Sequence, residues 1–289
     1  MNPWLLAIRP KTLPAAVAPV LMGSAMAFKD GGLDWVSAVY CLFAALFIQI
    51  GTNLANDYYD FKKGADAADR IGPTRVTQAG LIPAALVRAA FIVSFFLAGV
   101  CSIYLISRGG APLIVIAVAS ILSGFFYTAG PAPLGYLGLG ELFVLIFFGP
   151  VAVAGTYYVQ TLEMNPAVIV AGLGPGFLSA AILSVNNLRD IDSDRRSGKR
   201  TLAVRFGRSF AMTEFLFFIF CATLTPLVVL LITMDYPYSL MGCGICFASI
   251  PTIKTVLTRT DGPALNNALA GTGKLLLLYS LLFSVGWML

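Results

Sequence analysis

Long apolar runs separated by short polar breaks dominate the chain. A helix that crosses a ~30 Å hydrocarbon core needs about 20 largely apolar residues. The runs are continuous and do not alternate with period two, which favours helices over the strands of a barrel. The pattern predicts an all-α, polytopic membrane protein of about nine transmembrane helices, at 13–29, 35–56, 84–107, 111–128, 139–159, 167–189, 209–233, 238–258 and 269–288.

Composition supports this interpretation. Hydrophobic residues make up 58% of the chain and charged residues 11%, whereas a soluble domain has roughly 25% charged residues. The five cysteines lie in apolar runs and histidine is absent, so neither a disulfide framework nor a soluble zinc site is indicated. The chemistry must therefore use carboxylates, amides, Tyr, Lys and Arg. A secretory signal is the alternative for the first run, but no convincing small-residue cleavage site follows it, so we expect a span.

The basic residues predict the orientation. If the amino terminus is cytoplasmic, all of the 19 Lys and Arg except Lys29, Arg108 and Lys274 lie on or next to the inner side. Basic residues concentrate on the cytoplasmic side of membrane proteins. We therefore expect a multi-pass protein of the inner (cytoplasmic) membrane, with a cytoplasmic amino terminus and active site, surrounded by lipid and without a nucleic-acid partner.

Two charged segments, at the ends of the second and sixth runs, resemble each other. The first reads NLANDYYDFKKG (53–64) and the second NNLRDIDSDRRSGK (186–199), so that Asn-x-x-x-Asp recurs at an offset of 133 residues. The repeat predicts two related halves of four helices followed by a last one. Because one site would need both segments, we expect a single domain over 1–289, with active-site loops near 58–83 and 190–208.

Helical spacing makes each charged segment a stripe of oxygen atoms. Asn and Asp occupy positions i, i+4 and i+7 in the first segment and i, i+4 and i+8 in the second, so each trio faces one side of its helix. Carboxylates at a membrane boundary are costly unless cations compensate them. Ligands that offer only oxygen favour Mg²⁺, which usually completes its shell with phosphate and water. The predicted metal ligands are Asn53, Asn56, Asp57, Asp60, Asn186, Asp190 and Asp194.

Basic side chains beside the two stripes would balance the charge of a bound diphosphate. An ordinary basic border of cytoplasmic helix ends is the alternative for these residues taken singly, but it does not explain seven Asp on the positive side. We predict that the diphosphate ligands are Lys62, Lys63, Lys199 and Arg200.

These motifs resemble the UbiA superfamily of intramembrane prenyltransferases, whose marks are an NDxxD-type motif after the second helix and a DxxxD motif after the sixth. Here they read NDYYD (56–60) and DIDSD (190–194). The stretches 53–66, 125–160 and 186–207 are most similar to the branch that acts on 1,4-dihydroxy-2-naphthoate. Relatives that use hydroxybenzoate carry a basic residue shortly after the Tyr of the fourth helix, whereas Tyr127 is followed by Thr-Ala-Gly-Pro.

The resemblance implies an Mg²⁺-dependent transfer of a polyprenyl group from polyprenyl diphosphate to 1,4-dihydroxy-2-naphthoate. Carbon dioxide would be lost and demethylmenaquinone formed, a step of menaquinone biosynthesis. For this reaction we expect Asp66 as a base, Arg70 and Arg189 as partners of the acceptor carboxylate, and Tyr127 as an aromatic guide for the allylic cation.

Other functions stay open at this stage. Hydroxybenzoate and homogentisate are the alternative acceptors. A secondary transporter also has repeated halves and intramembrane carboxylates, although its sites tend to lie near the membrane midplane. Gly172, Gly174 and Gly176 in the sixth run predict close helix packing, with a channel for the prenyl tail as the alternative.

Overall fold

The structure, a computed structural model, describes residues 2–64, 72 and 74–289, and it is all-helical over that part of the chain. The helices are α1 (Pro3–Ile8), α2 (Pro14–Lys29), α3 (Trp35–Lys62), α4 (Ala84–Gly109), α5 (Ala111–Phe126), α6 (Gly140–Ile146), α7 (Ala152–Thr161), α8 (Pro166–Ala171), α9 (Leu173–Arg196), α10 (Leu202–Thr233), α11 (Ile245–Ala248), α12 (Ile250–Thr258) and α13 (Gly262–Met288).

All nine predicted runs fall on helical segments. Seven helical segments of the described chain are long and apolar enough to cross a membrane. The pair formed by Pro3–Thr12 and Pro14–Lys29, bent by 49°, would be an eighth, whereas α5 is shorter, with 16 residues. The prediction of a polytopic helical membrane protein is confirmed, and the count of nine spans and the orientation stay predictions.

The two predicted active-site loops begin as helix. Helix α3 continues to Lys62 and α9 to Arg196, so the first residues of the intervals 58–83 and 190–208 were wrongly assigned to loops. Hydropathy marks where a helix leaves the apolar region, but a polar helical turn and a loop look alike in that pattern. Both acidic segments therefore stand on rigid helix, which fixes the directions of their side chains.

Helix α9 lies in the core, against α6, α10 and α13. Its small residues permit this packing, because a Cβ at Gly174 would collide with the Tyr279 hydroxyl and one at Gly172 would lie 2.8 Å from Cα of Pro150. A Cβ at Gly176 would approach the Leu145 carbonyl. These glycines serve close packing, and the alternative of a tail channel beside them stays a prediction.

The segment between α6 and α7 is a π-helical turn, Phe147–Val151, with non-helical dihedrals at Gly149. The backbone of Gly149 lies against Gly172 and Gly176, so that no side chain fits at these contacts. Such π-turns are frequently found at functional sites. Here Phe147 and Val151 line the main cavity of the protein.

Candidate active site

A cavity of about 310 Å³ runs between α2, α3, α5, α7 and α9. One end carries amides, carboxylates and cations, among them Asn53, Asn56, Asp190, Asp194 and Lys199. The rest is lined by apolar and small side chains, such as those of Val20, Ala44, Leu105, Leu113 and Ile116. A cavity of this kind fits a ligand with a charged head and an apolar tail.

The amides of α3 fasten the bend between α1 and α2. Asn53 Nδ2 donates to the Ile8 carbonyl and to Thr12 Oγ1, both at 3.0 Å. The Arg9 guanidinium donates to Asn56 Oδ1 at 3.1 Å. The backbone of Arg9 is left-handed, with φ 52°, and Arg9 lines the cavity. The bend therefore places the Arg9 guanidinium at the polar end of the cavity.

Asp57 faces the segment after the charged loop. Its two carboxylate oxygens accept hydrogen bonds from the backbone N–H groups of Val76 (3.1 Å) and Thr77 (3.0 Å). Asp57 is only 2% exposed. It does not line the cavity. Asp57 therefore anchors the 75–77 backbone to α3, and its predicted role as a metal ligand stays a prediction.

Asp60 is fully buried and accepts hydrogen bonds from three side chains. The Arg75 guanidinium donates to Oδ2 at 2.8 Å and the Lys199 ammonium to the same oxygen at 3.0 Å, while the Tyr136 hydroxyl donates to Oδ1 at 3.1 Å. Cations thus surround the carboxylate that closes the first motif.

Lys199 brings the two acidic motifs together. Its ammonium lies 3.0 Å from Asp60 of α3 and 3.7 Å from Asp194 of α9. One cation therefore bridges carboxylates that are 134 positions apart in the chain. The convergence of the two helix ends, on which the prediction of a shared site depended, is present in the structure.

The comparisons with known proteins agree with this arrangement. The model of the UbiA prenyltransferase family matches residues 16–287. The chain belongs to the UbiA prenyltransferase family. It is 38% identical over 293 residues to the 1,4-dihydroxy-2-naphthoate octaprenyltransferase of Escherichia coli K12, covering 98% of this chain and 94% of that protein.

Two further comparisons extend this result. The 1,4-dihydroxy-2-naphthoate octaprenyltransferase of Mycobacterium tuberculosis is 34% identical, with 96% of this chain and 94% of that protein covered. A UbiA homolog from Archaeoglobus fulgidus, solved bound to DMAPP and Mg²⁺, superposes with a TM-score of 0.64 at 16% identity, over 98% of this chain and 99% of that one. The UbiA fold therefore extends over essentially the whole chain.

In this UbiA member, the α9 motif is held by its own arginine. Arg189 donates to both oxygens of Asp190 (2.8 and 2.6 Å), to Asn186 Oδ1 (2.8 Å) and to Asn266 Oδ1 on α13 (2.6 Å). Its side chain is 1% exposed and does not line the cavity. The predicted contact of Arg189 with the acceptor carboxylate is therefore wrong in this structure, because the guanidinium is already committed to orienting the motif.

Tyr136 closes the polar end from the segment that joins α5 to α6. The Lys63 and Lys199 ammonium groups lie 4.4 and 5.1 Å from the centre of its ring, and its carbonyl accepts the Arg200 N–H at 2.9 Å. Lys63 also donates to the Thr128 carbonyl at 3.1 Å. Desolvation lowers the pKa of Lys63, an effect that Asp60 opposes and Lys199 reinforces.

The other two predicted diphosphate ligands do not reach the cavity. Lys62 and Arg200 are exposed and do not line it. Lys62 follows Asp60 by two positions, which places it on nearly the opposite side of α3. Arg200 lies beside the inward-facing Lys199, and its backbone N–H donates to the Tyr136 carbonyl. Neither side chain lines the cavity, and the roles of both as diphosphate ligands stay predictions.

Tyr127 lines the cavity just beyond α5. Its hydroxyl can donate a hydrogen bond, while the ring faces the cavity. Of the other predicted catalytic residues, Asp66 and Arg70 lie outside the described residues.

The donor set at the polar end fits a hard divalent cation. Within the described ranges no three His, Cys, Asp or Glu residues form a metal-binding group, but amides and carboxylates together offer oxygen ligands. The Lys199 ammonium already lies between two carboxylates, which shows that this position suits a positive charge. The cavity-facing oxygen ligands are those of Asn53, Asn56, Asn186, Asp190 and Asp194.

Several residues of the site gave no separate signal in the sequence. Arg9 was used only to predict topology, and Tyr136 lies in a short uncharged segment. The bend after α1 places Arg9 in the cavity, and the segment between α5 and α6 places Tyr136 there. A Tyr next to Gly and Pro in a short inner loop is the pattern that would have identified Tyr136.

Proposed function

We propose that this protein transfers a polyprenyl group from polyprenyl diphosphate to 1,4-dihydroxy-2-naphthoate, with loss of CO₂ and release of diphosphate, and so forms demethylmenaquinol, the reduced form of demethylmenaquinone, for menaquinone biosynthesis. The observation that carries the proposal is the cavity whose one end joins both acidic motifs through Lys199 and whose remainder is apolar. The names of the relatives at 34% and 38% identity support the choice of acceptor.

The diphosphate would bind at the polar end of the cavity. Arg9, Arg75 and Lys199 line that end, and Lys63 approaches it across the Tyr136 ring. Lys199 can exchange its carboxylate partners for phosphate oxygens with a small movement, because it lies between the two motifs. Cations aimed at the departing group stabilise the charge that develops on it.

Magnesium, when bound, would supply further charge neutralisation at the departing diphosphate. The residues that would hold it are the oxygen ligands that face the cavity: Asn53, Asn56, Asn186, Asp190 and Asp194, with Asp60 beside them. Asp57 and Arg189 then act behind these ligands, since Asp57 holds the 75–77 backbone and Arg189 holds Asp190 and Asn186.

The apolar part of the cavity would hold the prenyl chain and keep water from the allylic cation. Aromatic rings line the cavity, among them those of Tyr127, Phe143, Phe147 and Phe148. A ring face attracts a nearby cation by about 0.5–2 kcal/mol. The rings would therefore favour attack by the acceptor over loss of the cation to water.

The basic residues support a position of the polar end at the cytoplasmic side of the inner membrane. Both substrates would then enter from the side where soluble enzymes act. The protein is proposed to work as one domain, because the ligands of a single site come from α3, α9 and the segment between α5 and α6.

The decisive experiment offers the purified protein a polyprenyl diphosphate together with either 1,4-dihydroxy-2-naphthoate or hydroxybenzoate, with and without Mg²⁺. We expect prenylated product and CO₂ from the naphthoate alone, and only when Mg²⁺ is present. Mass spectrometry of the product and trapping of labelled CO₂ measure this. Preferential use of hydroxybenzoate would overturn the choice of acceptor, and turnover in EDTA would overturn the metal requirement.

A further inference from the structure

Glu141 is a buried carboxylate behind the cavity wall that the proposed mechanism does not use. It lies in the first turn of α6 and is 4% exposed. Its Oε1 accepts a hydrogen bond from Asn187 Nδ2 at 2.6 Å, and Oε2 meets no donor within the described part of the chain. Ionisable residues inside membrane proteins are costly to bury and usually serve a function.

Asn187 connects this carboxylate to the cavity. It lines the cavity although it is only 6% exposed. It follows Asn186 directly, so its side chain leaves α9 about 100° from that of Asn186 and about 20° from that of Asp194, which also lines the cavity. The hydrogen bond to Glu141 Oε1 uses the Nδ2 side of the Asn187 amide and leaves Oδ1 for the cavity.

The surroundings of this amide suit an aromatic ligand. A Cβ at Gly140, the residue before Glu141, would lie 3.3 Å from the Tyr127 hydroxyl and 3.1 Å from Leu183 Cδ2. Tyr127, Leu183 and Phe143 all line the same cavity. A flat ring placed among these side chains would meet apolar surface on its faces and one acceptor oxygen at its edge.

We propose that Glu141 is a positioning residue that locks the Asn187 amide, so that Asn187 Oδ1 accepts a hydrogen bond from a hydroxyl group of the aromatic acceptor. The pair then selects hydroxylated rings, since a ring without that hydroxyl leaves a buried oxygen unsatisfied. This inference rests on the proposed function, because it assigns the acceptor end of the same cavity.

The test compares Glu141→Gln, Asn187→Ala and the double variant. A glutamine can donate to the Asn187 oxygen as well as accept from its nitrogen, so the amide is no longer locked. We expect the KM for 1,4-dihydroxy-2-naphthoate to rise about tenfold in each single variant, as for one hydrogen bond to a buried polar group. The KM for the prenyl diphosphate and the Mg²⁺ concentration for half-maximal rate should stay unchanged. The double variant should be no worse than Asn187→Ala.

Glu214→Gln is the matched control. Glu214 is also a buried carboxylate that faces α9, where it accepts a hydrogen bond from Ser184 at 3.1 Å, but Ser184 does not line the cavity, whereas Asn187 does. Its variant should keep both KM values. Thermal unfolding in detergent verifies that every variant is folded.

Wild-type KM values in Glu141→Gln would overturn the inference, and so would additive effects in the double variant. A raised Mg²⁺ requirement or prenyl diphosphate KM would assign Asn187 to the metal site instead. If the wild type fails to turn over the naphthoate, the proposed function fails first. Calorimetric binding of the naphthoate to wild type and Glu141→Gln then decides, because equal affinities, or no binding to either, would overturn the inference.

Discussion

The ends of α3 and α9 carry the same Asn-x-x-x-Asp pattern but hold it in different ways. Asp57 is fixed by two backbone N–H groups of a distant segment, whereas Asp190 is fixed by the guanidinium of its neighbour Arg189. The later acids behave alike, because Asp60 and Asp194 both face Lys199. The first Asp of each motif, Asp57 or Asp190, therefore fixes the end of its helix. The last Asp of each motif, Asp60 or Asp194, contacts Lys199, which connects the two halves.

The largest effect is expected from the acids that meet across the halves. Asp60→Asn and Asp194→Asn each remove a negative charge beside Lys199, and with it the balance that the polar end needs for cations and diphosphate. We expect turnover to fall about 100-fold or more, as for other losses of preorganised charge in active sites. Product formation at saturating substrates measures this.

Asp192→Asn provides the matched control for these variants. Asp192 lies on the same helix, but its side chain is 80% exposed and has only a 3.7 Å ion pair with Arg195. Its loss should leave turnover within about twofold of wild type, because exposed pairs contribute little. Wild-type turnover in Asp60→Asn would contradict the distinction between Asp57 and Asp190, which fix helix ends, and Asp60 and Asp194, which contact Lys199.

The anchoring acids should differ from each other in stability. Asp190→Ala leaves the buried Arg189 guanidinium without its counter-charge, which costs about 3–5 kcal/mol when a buried pair is broken. Asp57→Ala leaves two backbone N–H groups without an acceptor, at about 1–3 kcal/mol for each unsatisfied group. Because the backbone N–H groups are neutral, whereas an unpaired guanidinium is a buried charge, we expect the smaller loss for Asp57→Ala.

Equilibrium unfolding in detergent measures both losses. Hydrogen exchange of the Val76 and Thr77 amides provides a local check, since their protection should fall in Asp57→Ala and persist in Asp190→Ala. Equal stability losses, together with unchanged exchange at these two amides, would show that the two motifs are anchored in the same way.

The same contrast explains what the sequence could predict. The apolar runs, the repeat and the convergence of its two halves follow from hydropathy and from the need for counter-charge. The partners of Asp57 do not, because Val76 and Thr77 lie 19 and 20 positions away in a segment without periodic pattern. Helix phase at the last turn of α3 decides that Lys63, and not Lys62, approaches Tyr136, and a run of two lysines does not reveal it.

The sequence also could not predict the roles of some residues near the site. Arg9 enters the cavity because the chain bends after α1 with a left-handed residue, and no local pattern predicts that bend.

Arg189 was predicted to contact substrate because it is basic and near the motif. Only its distances to Asp190, Asn186 and Asn266 identify it as a support for the ligands.

The smallest effect is expected from Tyr136, which connects the two regions. Tyr136→Phe removes the hydrogen bond to Asp60 and keeps the ring beside Lys63 and Lys199. One net hydrogen bond of about 0.5–1.5 kcal/mol corresponds to a loss of turnover of no more than about tenfold. Tyr136→Leu also removes the ring, and with it about 0.5–1 kcal/mol for each ammonium group, so its KM for the prenyl diphosphate should rise further. If both variants showed the same KM, the ring would contribute nothing to the placement of the two lysines, and the halves would be joined through Lys199 and its carboxylates without help from the segment between α5 and α6.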